Sequence, residues 1–147
     1  MIPERERVEL VHLPIREDTD LTVIRHQVRS LARLAGFGLV QQTKLVTAAS
    51  ELARNTLLHG GGGEAEIRVL DGPDGPGLRV VFTDSGPGIP DVERALQDGF
   101  STANGLGMGL GGSKRLVQEF RIENPPEGGA RVTIASWSAS FPARYGV

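Results

Sequence analysis

A chain of 147 residues with 39% hydrophobic and 23% charged side chains is long enough to bury one core and too apolar to stay disordered, so a single domain over residues 1–147 is expected. The absence of cysteine excludes disulfides, thiolate metal sites and a cysteine nucleophile, and three scattered histidines do not make a zinc cluster. A formal net charge of -2 leaves no basic footprint for nucleic acid, and no run of about 18 apolar residues crosses a membrane, so a cytoplasmic protein without DNA, RNA or membrane partners is expected.

Residues 8–15 read as a first strand. Glu17, Asp18 and Thr19 then supply acidic and capping residues for a helix over 20–35, which Gly36 ends. Apolar residues recur at helical spacing through Leu45, Val46, Ala49, Leu52, Ala53 and Leu57, so a second helix runs over 40–59 until the glycines at 60–63 stop it. Stretches 65–70 and 78–83 are rich in β-branched and apolar residues and are joined by DGPDGPG, which demands a turn, so they form a hairpin. A short helix over 91–97, a glycine-rich stretch and a helix over 113–119 come next. Strands over 120–123 and 131–137, separated by NPPEGG, close the sheet as a second hairpin. This order describes an α+β two-layer sandwich, a mixed and mainly antiparallel sheet with helices on one face.

Glu51 and Asn55 lie four apart on the second helix and project from one face, one turn apart. In that arrangement the Asn55 carbonyl can ligate a magnesium ion on a triphosphate, and Glu51 can accept a proton from an attacking hydroxyl. Taken alone, the pair favours a solvated helix face and proves nothing. Asp84 ends the strand LRVVFTD, where its carboxylate can accept from an exocyclic amine such as adenine N6 or cap its own turn. Gly86 and Gly88 follow in DSGPGIP and let the backbone pass close to a flat ligand.

The string GLGMGLGG satisfies G-x-G-x-x-G spacing at Gly107, Gly109 and Gly112, but no strand precedes it and no Walker A frame surrounds Lys114. What remains is a set of amides at a helix start that can hold an anion, with Lys114 as counter-charge or as a solvated lysine. Residues 91–104, with Gly99, Ser101, Thr102 and Asn104, suit a mobile cover over phosphate, with Phe100 as its anchor or as a satellite core residue. His59 reads as a helix cap, His26 as an unsupported phosphoacceptor, and Trp137 as a core residue.

Read together, ELARN, DSGPGIP and GLGMGL resemble the N, G1 and G2 boxes of the GHKL superfamily. The longer tract PGIPDVERALQDGFSTANGLGMGLGGSKRLVQEF is similar to the RsbT-type switch serine kinases, which are related to anti-sigma kinases of the RsbW and SpoIIAB type. The resemblance implies a Bergerat-type ATP site with ATP and Mg2+ as cofactors. Glu51 would be the general base, Asn55 the magnesium ligand, Asp84 the adenine reader, and Gly86 and Gly88 the shapers of the base pocket. Gly105, Leu106, Gly107, Met108, Gly109 and Leu110 would line the nucleotide beneath a lid that carries Ser101 and Thr102.

The implied reaction is phosphoryl transfer from ATP to a serine of a STAS-domain antagonist of the RsbS or RsbR kind. Release from the phosphorylated antagonist would let the chain activate a PP2C-type phosphatase of the RsbU kind. One departure stands out, because the family places Gly-Thr at the start of the last strand and here Gly129 precedes Ala130. Thr133 points to the opposite face and is no substitute, so ATP binding weakened by about 1 kcal/mol is expected. An anti-sigma kinase and a nucleotide-binding docking module are the alternative readings, and homodimerisation stays open.

Overall fold

The computed structural model describes residues 5–89, 96 and 109–138. Strand β1 (Arg5–Ile15) leads into α1 (Asp18–Leu34) and α2 (Leu39–Leu58), followed by β2 (Gly63–Gly72), β3 (Gly75–Asp84), α3 (Gly109–Lys114), β4 (Glu119–Glu123) and β5 (Arg131–Trp137). The strands form one sheet in the order β1-β2-β3-β5-β4, and every pairing is antiparallel. The expected α+β sandwich and its mainly antiparallel sheet are therefore observed.

Period-two burial sets the layers. Ala65, Ile67 and Val69 of β2 are buried beneath the helices, as are Leu78, Val80 and Phe82 of β3 and Val132 and Ile134 of β5. From the helical side, α1 contributes Leu21, Ile24, Val28 and Leu31 at helical spacing, and α2 contributes Leu45, Ala49, Leu52 and Ala53. Asp20 fastens the start of α1, where its Oδ2 accepts from the Arg16 and Glu17 amides at 2.8 and 3.1 Å.

The opposite face of the sheet carries charges. His12 on β1 meets Glu66 at 3.2 Å and Glu64 at 3.6 Å across the strand pair. Trp137 is buried, as expected, but on this second face. Its ring lies over Gly72 and Gly77, where any Cβ would strike it, and its Nε1 donates to Glu119 Oε2 at 3.2 Å.

Strand β1 and helix α1 open earlier than expected, at Arg5 and Asp18, and two boundaries differ more. The first hairpin is longer, because Asp71↔Pro76 and Gly72↔Gly75 still pair and leave a two-residue turn. The helix expected over 113–119 starts at Gly109 and ends at Lys114, after which Leu116 and Val117 close i→i+3 bonds and pack on the core as a turn. Chain needed to reach β4 at Glu119 is what cuts the helix short. The helix expected over 91–97 lies outside the described residues, save position 96.

Candidate functional site

Helix α2 buries one side and leaves Glu51 and Asn55 at the border of its exposed face, half-buried. Glu51 Oε2 and Asn55 Oδ1 are both sealed from solvent, and neither has a hydrogen-bond partner among the described residues. An orphaned buried acceptor costs about 1–3 kcal/mol, so two on consecutive turns of one helix make a site prepared for a ligand that supplies positive charge or donors. A carboxylate oxygen and an amide carbonyl are hard donors, which fits magnesium. Among the described residues no three His, Cys, Asp or Glu side chains cluster as a metal cage. That pattern suits an ion held by one or two protein oxygens together with substrate phosphates.

The second part of the site lies where α2 ends. His59 caps the helix, as expected, with its amide donating to Asn55 O at 2.9 Å, and Gly61 and Gly62 take positive φ to turn the chain into β2. This turn sets Gly60 against Asp84 at the end of β3. A Cβ on Gly60 would overlap the Asp84 carboxylate, so the carboxylate lies directly on the backbone of the turn.

Asp84 Oδ1 accepts from Gly86 N at 2.9 Å and from Ala130 N at 3.1 Å. The turn-capping reading of Asp84 is the one observed. One oxygen closes the Asx turn, and Oδ2 is left without a described donor, available to an amine. Gly86 packs on Gly60, with a virtual Cβ only 2.9 Å from Gly60 O. Gly129, at φ +80, packs its Cα against the Asp84 carbonyl, where no side chain fits.

Gly88 takes φ +83, and the open position beside its Cα is filled by the Asn124 side chain. Asn124 Nδ2 donates to Ile89 O and Asn124 Oδ1 accepts from Ile89 N, both at 2.9 Å, which pins the end of the DSGPGI segment like a strand partner. Asn124, Gly60 and Gly129 were not among the site residues expected from sequence. For Gly129 a signal was present, the Gly-Gly pair ahead of a strand; for Asn124 and Gly60 the neighbours are remote in sequence.

The other expected site residues divide. Gly109 is buried as the first residue of α3, which packs against α2, at φ +68. The Leu110 side chain packs on the core. Lys114 is exposed at the far end of α3, so the described structure favours the solvated lysine over a counter-charge at the helix start. Ser101, Thr102, Gly105, Leu106, Gly107 and Met108, with Phe100 and the cover over 91–104, lie outside the described residues. His26 is exposed on α1, and Thr133 lies on the face of β5 opposite Ala130 and Val132.

Residues 40–139 match the family model of histidine kinase-, DNA gyrase B- and HSP90-like ATPases. The serine/threonine-protein kinase RsbT of Bacillus subtilis is 40% identical over 123 residues, covering 84% of this chain and 92% of that protein. The chain belongs to the GHKL ATPases, in the RsbT-type serine/threonine kinase branch. An anti-sigma F factor of Clostridium novyi is 26% identical over 75% of this chain and 86% of its own length.

Solved structures extend the likeness of fold. The RsbU and RsbW domains of a Mycobacterium tuberculosis protein align at TM-score 0.60 and 21% identity, covering 88% of this chain and 32% of that one. The SiaB–SiaC complex of Pseudomonas aeruginosa aligns at TM-score 0.51 and 15% identity, covering 88% and 89%. As a kinase of this family the chain binds ATP, and no described helix is long and apolar enough to cross a membrane.

Proposed function

We propose that this kinase holds Mg·ATP between α2 and the glycine-lined end of β3 and transfers the γ-phosphoryl group to a serine of a STAS-domain antagonist of the RsbS type. The observation that carries the reading is the pair of sealed, unpartnered oxygens on Glu51 and Asn55. Glu51 acts as general base. It accepts the proton of the acceptor hydroxyl while the new O–P bond forms and the bond from the γ-phosphorus to the β–γ bridging oxygen breaks. Asn55 holds the ion through Oδ1, and magnesium when bound neutralises phosphate charge. Asp84 reads the adenine amine through Oδ2, the rigid turn of Gly60, Gly86 and Gly88 frames the base, and Gly105, Gly107 and Gly109 cradle the phosphates.

Release from the phosphorylated antagonist frees the kinase to activate a PP2C-type phosphatase of the RsbU type. The RsbT relative at 40% identity supports this output over anti-sigma activity, since the anti-sigma F factors of Clostridium novyi and Thermoanaerobacter are 26% and 29% identical. Glu51→Ala is expected to abolish transfer to the STAS serine in a radiolabelled phosphorylation assay and to preserve binding of ATP and antagonist. Unchanged transfer would remove Glu51 from the mechanism, and recovery of a sigma factor in place of a STAS protein would replace the partner.

A further inference from the structure

Exposed apolar side chains concentrate at one corner of the helical layer. Leu34 is 76% exposed at the end of α1, and Leu39 and Val40 are 71% and 68% exposed at the start of α2. Apolar side chains this open, gathered across the α1–α2 connection and rimmed by charge, are the pattern of an interaction site.

The charge around them is one-sided. Between residues 21 and 59 the chain carries Arg25, Arg29, Arg33, Lys44 and Arg54 against Glu51 as its sole carboxylate, although the whole chain has net charge -2. Arg33 and Lys44 flank the apolar corner, are exposed, and pair with no described carboxylate. Apart from Glu17, Asp18 and Asp20 at the opposite end of α1, the acids lie mainly on the sheet, among them Glu64, Glu66, Glu119 and Glu123.

The corner also continues to the catalytic residue. Val40, Lys44, Thr47 and Glu51 follow one another at helical spacing, so they share a single face of α2. Val40 and Glu51 are separated by about 16 Å of helix at 1.5 Å per residue. An ordinary protein interface covers about 800 Å² per partner, hence about 30 Å across, so a protein seated on the corner reaches Glu51.

We propose that the α1–α2 corner, continued along Val40, Lys44 and Thr47, is the docking track for the phosphoacceptor protein, whose matching surface is apolar at its centre and acidic around it. This rests on the phosphoacceptor reading above. A second copy of this chain would bring cations against cations. A lipid surface gives no account of why the track runs past Thr43 and Thr47 toward the catalytic carboxylate.

Two variants of the full chain test it: Leu39→Ser with Val40→Ser, and Arg33→Glu with Lys44→Glu. All four side chains are exposed, and thermal melts check that each protein folds; the two pairs are independent, so either one alone decides. Each is expected to raise KM for an RsbS-type STAS protein at least tenfold, with kcat at saturation and Kd for ATP within twofold of wild type. Calorimetry with the acceptor serine replaced by alanine reads docking without turnover, and an equally large loss of affinity is expected. Unchanged KM and Kd would overturn the docking track and leave the phosphoryl-transfer reading intact. Absence of transfer by wild-type protein with affinity still lost in the variants would instead sink that reading and keep the track. Wild-type binding to phosphatidylglycerol vesicles that both variants lose, or a wild-type dimer that both dissociate, would overturn the proposal in favour of lipid or of self-association.

Discussion

Asp84 and Ala130 hold each other by two hydrogen bonds, Asp84 N–H to Ala130 O at 3.0 Å and Ala130 N–H to Asp84 Oδ1 at 3.1 Å. The side chain of residue 130 is thereby fixed beside the carboxylate proposed to read adenine, and in this chain it is a bare methyl. Ala130→Thr places a hydroxyl next to Asp84. One added net hydrogen bond is worth about 1 kcal/mol, so ATP should bind about fivefold more tightly by calorimetry. Equal affinity would mean that position 130 plays no part in holding the base.

The contact between Gly60 and Asp84 gives a second prediction. A methyl at position 60 overlaps the Asp84 carboxylate and forces it to swing, breaking its bonds to Gly86 and Ala130. Gly60→Ala should therefore raise Kd for ATP more than tenfold and lower stability by about 2 kcal/mol. Gly38→Ala is the matched control, because nothing lies within 4 Å of its missing Cβ. If both variants bind ATP like wild type, the Gly60 contact does not shape the pocket.

Much of this was legible in the sequence because periodicity reports burial directly. Leu45 to Leu57 traced α2, alternation traced β2 and β3, and Gly36 and the glycines at 60–63 marked the helix ends where the structure has them. Helix α3 was misplaced because four of the residues at 107–112 are glycine, which hides helical spacing, while Leu116 and Val117 imitate it. Asn124 was hidden for another reason. It stands next to the turn string PPEGG and reads as turn chemistry, and its contact with Ile89 spans 35 residues of sequence.

Asn124 supports a third prediction. Its amide satisfies both backbone groups of Ile89, and nothing else described holds that end of the DSGPGI segment. Asn124→Ala should loosen the segment and raise KM for ATP several-fold, with kcat at saturating ATP little changed, since Asn124 touches no reacting atom. Asn124→Asp keeps the acceptor for Ile89 N but sets a carboxylate against Ile89 O, so it should behave like the alanine variant. A fall in kcat at constant KM would place Asn124 in the transfer step and overturn its role as a brace.

Glu51 and Asn55 set function against stability. In the nucleotide-free protein their sealed oxygens forfeit hydrogen bonds to water, and the fold carries that cost until a ligand satisfies them. Asn55→Leu fills the same space without an orphaned acceptor, so the nucleotide-free variant should gain about 1 kcal/mol and melt about 3 °C higher than wild type. Adding ATP with magnesium should reverse the order. Wild type gains about 2.7 kcal/mol at a ligand concentration one hundredfold above Kd, and the variant gains little. Thermal melts with and without Mg·ATP read both effects in one experiment. A variant that melts lower than wild type without nucleotide would show that Asn55 serves the fold and not the ligand.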